Sequence, residues 1–202
     1  MNVLLMRHGK TAGNLLRRYI GRTDEPLCPE GVEHVIATGT DPTVKRVYVS
    51  PMRRAVETAT IKFPNAQQIV INDLREMDFG DFEGLSADDM VENAAYRAWV
   101  ESECHDECPN GESGAGFIER ICHCFDELVR ACIARGEKDL VIVAHGGTIM
   151  SILWKYAEER RNFYEWPVGN ACFYRAALDE ATWFEHPALY DVTYHEVLSA
   201  NS

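Results

Sequence analysis

Leu140-Val141-Ile142-Val143-Ala144-His145-Gly146-Gly147 reads as a strand that stops at a histidine and two glycines, with the apolar helix TIMSILWKYA directly after it. A run that is apolar at every position is buried on both faces, and such strands belong to parallel sheets covered by helices. The layout recurs upstream, where residues 3–6 form an apolar run that ends at Arg7-His8-Gly9. Arg46–Val49 (RVYV) is a further short strand, followed by Ser50-Pro51. Serine before proline predicts a helix N-cap with proline at the first helical position, opening the helix MRRAVETATIKF. Residues 68–71 make another strand candidate.

Two helical stretches lie between that strand and the one at 140–144. Ser86-Ala87-Asp88-Asp89 has the capping-box pattern and predicts a helix from residue 86 to about residue 103. Phe117, Ile121, Cys124, Leu128 and Cys132 recur at three- and four-residue spacing, predicting an amphipathic helix from residue 114 to about residue 135. Residues 171–178 and 190–197 are expected as strands flanking a loop. Strands alternating with helices predict an α/β three-layer sandwich with a mostly parallel central sheet. The 86–103 stretch is long enough to cap one end of it, so the expectation is one domain over residues 1–202 with a small helical cap inserted at about 81–116.

The chain has 202 residues, 20 basic against 32 acidic, a net charge of −12, and is 46% hydrophobic. That composition excludes a disordered chain, and its charge disfavours nucleic acid or an anionic membrane as partner. The four-residue apolar run near the start is too short for a signal-peptide core, and no stretch approaches the ~18 apolar residues of a membrane span. A cytoplasmic location is expected. Seven cysteines without an export signal predict reduced thiols rather than a disulfide framework. Cys104, His105, Cys108, Cys122, His123 and Cys124 form no C-x-x-C pair, and positions 122 and 124 project about 200° apart on a helix, so packing is preferred to a metal site.

In open α/β sheets ligands bind beyond the carboxyl ends of the strands. Two strands end here in His-Gly, and a third leads to Ser50-Pro51 with Arg54 in the first turn of its helix. If these ends converge, Arg7, Arg54, His8, His145 and a helix N-terminus make an oxyanion pocket of phosphate character. Glycine after each histidine, Gly146 among them, lets the backbone approach a ligand closely. An imidazole with no serine or cysteine beside it can itself serve as nucleophile. His34, His105, His123, His186 and His195 lack such a setting and read as surface or packing residues.

Arg7-His8-Gly9-Lys10-Thr11 resembles the R-H-G-x-T signature of the histidine phosphatase superfamily, the phosphoglycerate-mutase-like proteins. The resemblance extends in order along most of the chain. It takes in Asn14, Gly21-Arg22-Thr23-Asp24, Ser50-Pro51-x-x-Arg54-Ala55-x-x-Thr58-Ala59, Leu74-Arg75-Glu76-x-x-Phe79-Gly80-x-x-Glu83-Gly84, Pro109-Asn110-Gly111-Glu112-Ser113 and Ala144-His145-Gly146-Gly147. It implies that His8 attacks phosphorus, that Arg7, Arg54, His145 and Asn14 bind the transferring oxygens, and that Glu76 protonates the leaving alcohol. Thr11 and Thr23 are assigned neutral hydrogen bonds, Arg22 a place in the substrate loop, and no metal or cofactor is implied. Lys10 stands where the family often has Glu or Gln, which predicts an added positive charge at the rim, and Phe79 stands where mutases carry tyrosine.

The chain is short where phosphoglycerate mutases carry an insertion, and it looks most like the α-ribazole-5′-phosphate and broad-specificity phosphatase branch. The implied activity is hydrolysis of a small phosphorylated metabolite by a monomer or homodimer, with mutase or protein-histidine phosphatase activity as alternatives. Tyr96, Trp99 and Arg22 read either as specificity determinants or as ordinary packing and solvated residues.

Overall fold

The structure, a computed structural model, describes residues 1–196. Six strands, β1 (Asn2–Arg7), β2 (Arg46–Val49), β3 (Gln67–Val70), β4 (Asp139–Ala144), β5 (Phe173–Ala177) and β6 (Tyr190–His195), form one sheet in the order β3-β2-β4-β1-β5-β6. The first four are parallel, and β5 and β6 continue the sheet antiparallel. The last residue of the predicted 190–197 strand lies outside the described residues. The strand at 171–178 begins later than predicted, at Phe173, because Ala171 takes a left-handed φ of 61° and turns its N–H toward the carbonyls of Arg7 and His8.

The helices are α1 (Ala12–Leu15), α2 (Pro29–Ala37), α3 (Arg53–Lys62), α4 (Ala94–Glu101), α5 (Gly114–Ala134) and α6 (Gly146–Tyr156). The even apolarity of 140–144 is explained by two cores. Leu140, Ile142 and Ala144 point into one core with Phe117, Ile121, Phe125 and Val129 of α5 and Ile149 and Ile152 of α6. Val141 and Val143 point into the other, with Val35 of α2 and Ala55 and Ala59 of α3. Helices therefore cover both faces, and each fully buried aliphatic side chain contributes about 1.5–3 kcal/mol.

Two helix starts differ from expectation. Ser50-Pro51 does not open α3, which begins at Arg53 behind Met52. Ser50 is fully buried instead, its hydroxyl turned toward His145. The Ser86 capping box forms, with Ser86 Oγ 2.8 Å from Asp89 Oδ2 and accepting the Asp89 N–H at 3.2 Å, yet it caps only a 3-10 turn at Asp88–Met90. The α-helix of this segment starts at Ala94, because Asn93 takes the N–H groups of Ala95 and Tyr96 on its Oδ1. A side chain that bonds nearby backbone in this way halts one helix and starts the next.

Candidate active site

Register brings the three strand ends level. Val49 of β2 and Met6 of β1 both align with Val143 of β4, and Arg7 aligns with Ala144. The residues that follow are tied together, with Ser50 N–H on Val143 O at 3.1 Å and His8 N–H on Ala144 O at 3.0 Å. Convergence of His8, Ser50 and His145 is therefore a product of main-chain pairing. The two imidazoles meet edge to face, centroids 5.1 Å apart.

His8 is buried, and its Nδ1 lies 2.6 Å from Gly9 O. A carbonyl only accepts, so the ring proton sits on Nδ1 and Nε2 keeps its lone pair. Burial first, then the nearby charges of Arg54 and Arg7, holds the His8 pKa well below the ordinary histidine value. His145 is depressed in the same way, by burial, Arg54, His8 and Arg7.

Both arginines are gripped by main chain. Arg7 donates to Val168 O at 2.7 Å, and Arg54, with no exposed surface, donates to Thr23 O at 2.8 Å and Gly21 O at 2.9 Å. Arg7 Nε, Arg54 Nε and His145 Nδ1 are buried with no partner among the described residues. An orphaned buried donor costs about 1–3 kcal/mol, so the two guanidinium nitrogens beside the unpartnered His145 nitrogen mark a place built for oxyanion acceptors.

Glu76 sits at the N-terminus of α6, where its Oε2 accepts the Gly147 N–H at 3.1 Å and its Oε1 the Met77 N–H at 3.1 Å. A Cβ at position 147 would lie 2.6 Å from Glu76 Oε1, so glycine is what admits the carboxylate. Burial raises the Glu76 pKa, against the opposing pull of those two N–H groups and of Arg54 and Arg7. Gly146 opens α6 beneath the Arg7 guanidinium, 3.5 Å from its Cζ at the Cβ position. The structure thus gathers Arg7, His8, Arg54, Glu76, His145 and Gly146.

The remaining predicted residues have different placements. Thr11 caps α1, its hydroxyl accepting the Asn14 N–H at 3.3 Å. Asn14 Oδ1 accepts from Thr11 N–H and from Asn170 Nδ2, which leaves its own amide nitrogen as the donor end. Thr23 gives its hydroxyl to Glu83 at 2.7 Å, and Arg22 stands at the rim 3.5 Å from Asp78. Lys10 adds no net charge to the rim as expected from sequence, because it pairs with Glu30 at 2.6 Å. Phe79 packs edge to face on Tyr19 and Trp99. Tyr96 and Trp99 are buried in the same aromatic cluster, with Tyr96 hydrogen-bonded to Tyr19 at 2.8 Å.

Sequence reasoning gave no role to four supporting groups. Thr58 accepts the Gly9 N–H at 2.9 Å and donates to Arg54 O at 2.6 Å, tying the His8 strand end to α3. Its position four residues after Arg54, on the same helix face, is the signal that could have found it. Glu83 accepts the N–H groups of Gly21, Arg22 and Thr23, fixing the loop whose carbonyls hold Arg54. Glu112 forms a two-point pair with Arg120, which donates to Asp73 O and Arg75 O and so braces the segment carrying Glu76. Asn170 donates to His8 O at 3.2 Å, from a loop with no distinguishing pattern.

A hollow of about 590 Å³ at the opposite end of the sheet, lined by Asn2, Arg46, Glu137 and Lys138, holds no histidine. Its Arg46 and Lys138 already pair with Glu137 and Glu180. All seven cysteines are free thiols, and among the described residues no three His, Cys, Asp or Glu are grouped to hold a metal. No helix of the described residues is long and apolar enough to cross a membrane.

Residues 3–186 match the model of the histidine phosphatase superfamily (branch 1), and the chain belongs to that family. Its relatives include phosphatases and phosphoglycerate mutases. It is 27% identical over 186 residues to the uncharacterized phosphatase PhoE of Bacillus subtilis, covering 90% of each chain. It is 30% identical over 162 residues to the adenosylcobalamin/alpha-ribazole phosphatase of Escherichia coli, covering 76% of this chain and 77% of that one. The fold is that of the alpha-ribazole phosphatase from Shigella flexneri, with a TM-score of 0.82 over 100% of both chains at 23% identity.

Proposed function

We propose that this protein hydrolyses a small phosphate monoester through a phosphohistidine on His8, without a metal or other cofactor, in the cytoplasm. The observation that carries the reading is the state of His8. Its Nδ1 is bonded to Gly9 O, so Nε2 keeps its lone pair on a ring that lies edge to face with His145 and within the influence of the Arg7 and Arg54 charges. In the first step the Nε2–P bond forms, the P–O ester bond breaks, and the Glu76 proton goes to the leaving alkoxide. In the second, water attacks phosphorus, the N–P bond breaks, and Glu76 takes the water proton. The products are the alcohol and inorganic phosphate, and Glu76 and His8 return to their starting states. Arg7, Arg54 and the His145 donor stabilise the equatorial oxygens throughout.

A phosphatase reading is favoured over a mutase one by where the charge lies. Residues 81–116 carry ten acidic residues and a single arginine, a net of −9 out of −12 for the whole chain. This segment packs its Tyr96 and Trp99 on Tyr19 and Phe79, close to the Glu76 loop, and we assign it as the cap. A mutase must retain a bisphosphorylated intermediate, and such a cap repels the second phosphate. The name of the E. coli relative makes α-ribazole 5′-phosphate the first substrate to try.

The test is a side-by-side screen of purified protein with α-ribazole 5′-phosphate, 3-phosphoglycerate, sugar phosphates and nucleotides. Phosphate release is expected from one or more monoesters, at the same rate with and without EDTA. Activity lost in EDTA and restored by zinc or magnesium would overturn the metal-free mechanism.

The pH profile follows from the two shifts. His8 attacks only when neutral, and its pKa is depressed, so the acidic limb of kcat/KM falls below the ordinary histidine range near 6.5. Glu76 donates only when protonated, and its pKa is raised, so the alkaline limb lies above the ordinary carboxylate value of 4.5. The expected result is a bell in kcat/KM against pH on an alkyl phosphate, with the acid limb below the ordinary histidine value and the alkaline limb above the ordinary carboxylate value. An acid limb at or above pH 6.5 would contradict it.

A further inference from the structure

Ser50 is placed by its sequence pattern at the start of a helix, and the structure puts it elsewhere. Its side chain and that of His145 have no exposed surface, and Ser50 Oγ lies 2.7 Å from His145 Nε2. The same hydroxyl oxygen accepts the Met52 N–H at 3.4 Å. The other ring nitrogen of His145, Nδ1, is buried with no partner among the described residues.

A neutral imidazole has one proton, and the hydrogen bond made by one nitrogen decides where it sits. Two arrangements fit the 2.7 Å contact. If Nε2–H donated to Ser50, the serine oxygen would take two N–H donors, its own proton would have no acceptor among the described residues, and the Nδ1 lone pair would face phosphoryl oxygens. If Ser50 O–H donates to Nε2, every group on the Ser50 side is satisfied and Nδ1–H is left as a donor to the anion. Burial disfavours the protonated ring first, and Arg54 of α3, His8 and Arg7 at the end of β1, and Arg120 of α5 add to it, while the nearby Glu76 carboxyl is engaged by the Met77 and Gly147 N–H groups.

We propose that Ser50 is a positioning residue that fixes His145 as the neutral Nδ1–H tautomer, so that the second histidine works as an uncharged hydrogen-bond donor to the transferring phosphoryl group. The catalytic part of this rests on the phosphatase reading above, whereas the tautomer is a property of the resting protein.

Long-range proton–nitrogen correlation spectra of histidine-labelled protein, compared for wild type, Ser50→Ala and Ser50→Thr, test it. His145 in wild type is expected with its proton on Nδ1 and a bare Nε2. Ser50→Ala is expected to mix or reverse the tautomers, and Ser50→Thr, which keeps the hydroxyl, to restore them. In turnover, Ser50→Ala should lower kcat by about 10–100-fold, the usual effect of removing such a partner, with KM changed less than about threefold. A proton on Nε2 of wild-type His145 overturns the proposal even if neither variant folds. An Ala variant with unchanged tautomer and unchanged kcat also overturns it. Wild-type protein inert on every ester but showing the Nδ1–H tautomer would instead defeat the phosphatase reading and leave the role of Ser50 standing.

Discussion

His8→Ala should abolish turnover, lowering kcat by at least about 10⁴-fold, the scale seen when an enzymatic nucleophile is deleted. The loss should be chemical rather than structural. The ring is buried, but the backbone around it is held independently, by His8 N–H on Ala144 O at 3.0 Å and Gly9 N–H on Thr58 at 2.9 Å. Arg7, Arg54 and His145 remain in the variant, so inorganic phosphate should still bind, as calorimetry can measure. Wild type incubated with labelled ester and quenched in base should carry label on His8, and the variant none. Label retained in the variant, or found on another residue of wild type, would place the nucleophile elsewhere.

Glu76→Gln should separate substrates by leaving group. Alkyl phosphates need a proton on the departing oxygen, and their kcat should fall by about 10²–10⁴-fold, the usual share of general acid catalysis. p-Nitrophenyl phosphate has a leaving group that departs unprotonated, so its first step should survive. The second step loses its base in either case, and the phosphoenzyme should accumulate, giving a burst of about one nitrophenolate per active site. Glutamine also keeps one acceptor where glutamate offers two, to Met77 N–H and Gly147 N–H, and a loss of about 1–2 kcal/mol in stability should accompany the change. Unchanged turnover of alkyl phosphates would move the acid role to another group.

The sheet was legible in the sequence because burial on both faces leaves an unbroken apolar run, as at 140–144, and burial on one face of α5 leaves a three-four spacing. The converging histidines and arginines were legible because each follows or closely trails a strand. Local competition between side chain and backbone was not. Ser86 and Asn93 are both good caps seven residues apart, and only Met90, anchored in the core, shows that the first opens no α-helix. Ser50 fits a cap pattern equally well, and its true partner is 95 positions away. Lys10 reads as a rim cation until Glu30, 20 positions on, is seen against it.

Main-chain grip on the two arginines bears on how such a framework diversifies. Carbonyls of residues 20, 21, 23 and 168 hold Arg54 and Arg7, and a carbonyl is present whatever amino acid occupies the position. Substitutions that keep the loop backbone in place therefore leave the phosphate grip standing, and position 21 is confined to glycine because a Cβ there would lie 1.8 Å from Met77 O. The segment assigned as the cap is held instead by side chains, Tyr19, Phe79 and Trp99 among them. Phosphate recognition can stay constant while substrate choice drifts, which accords with phosphatases and mutases of different names among relatives of one chain.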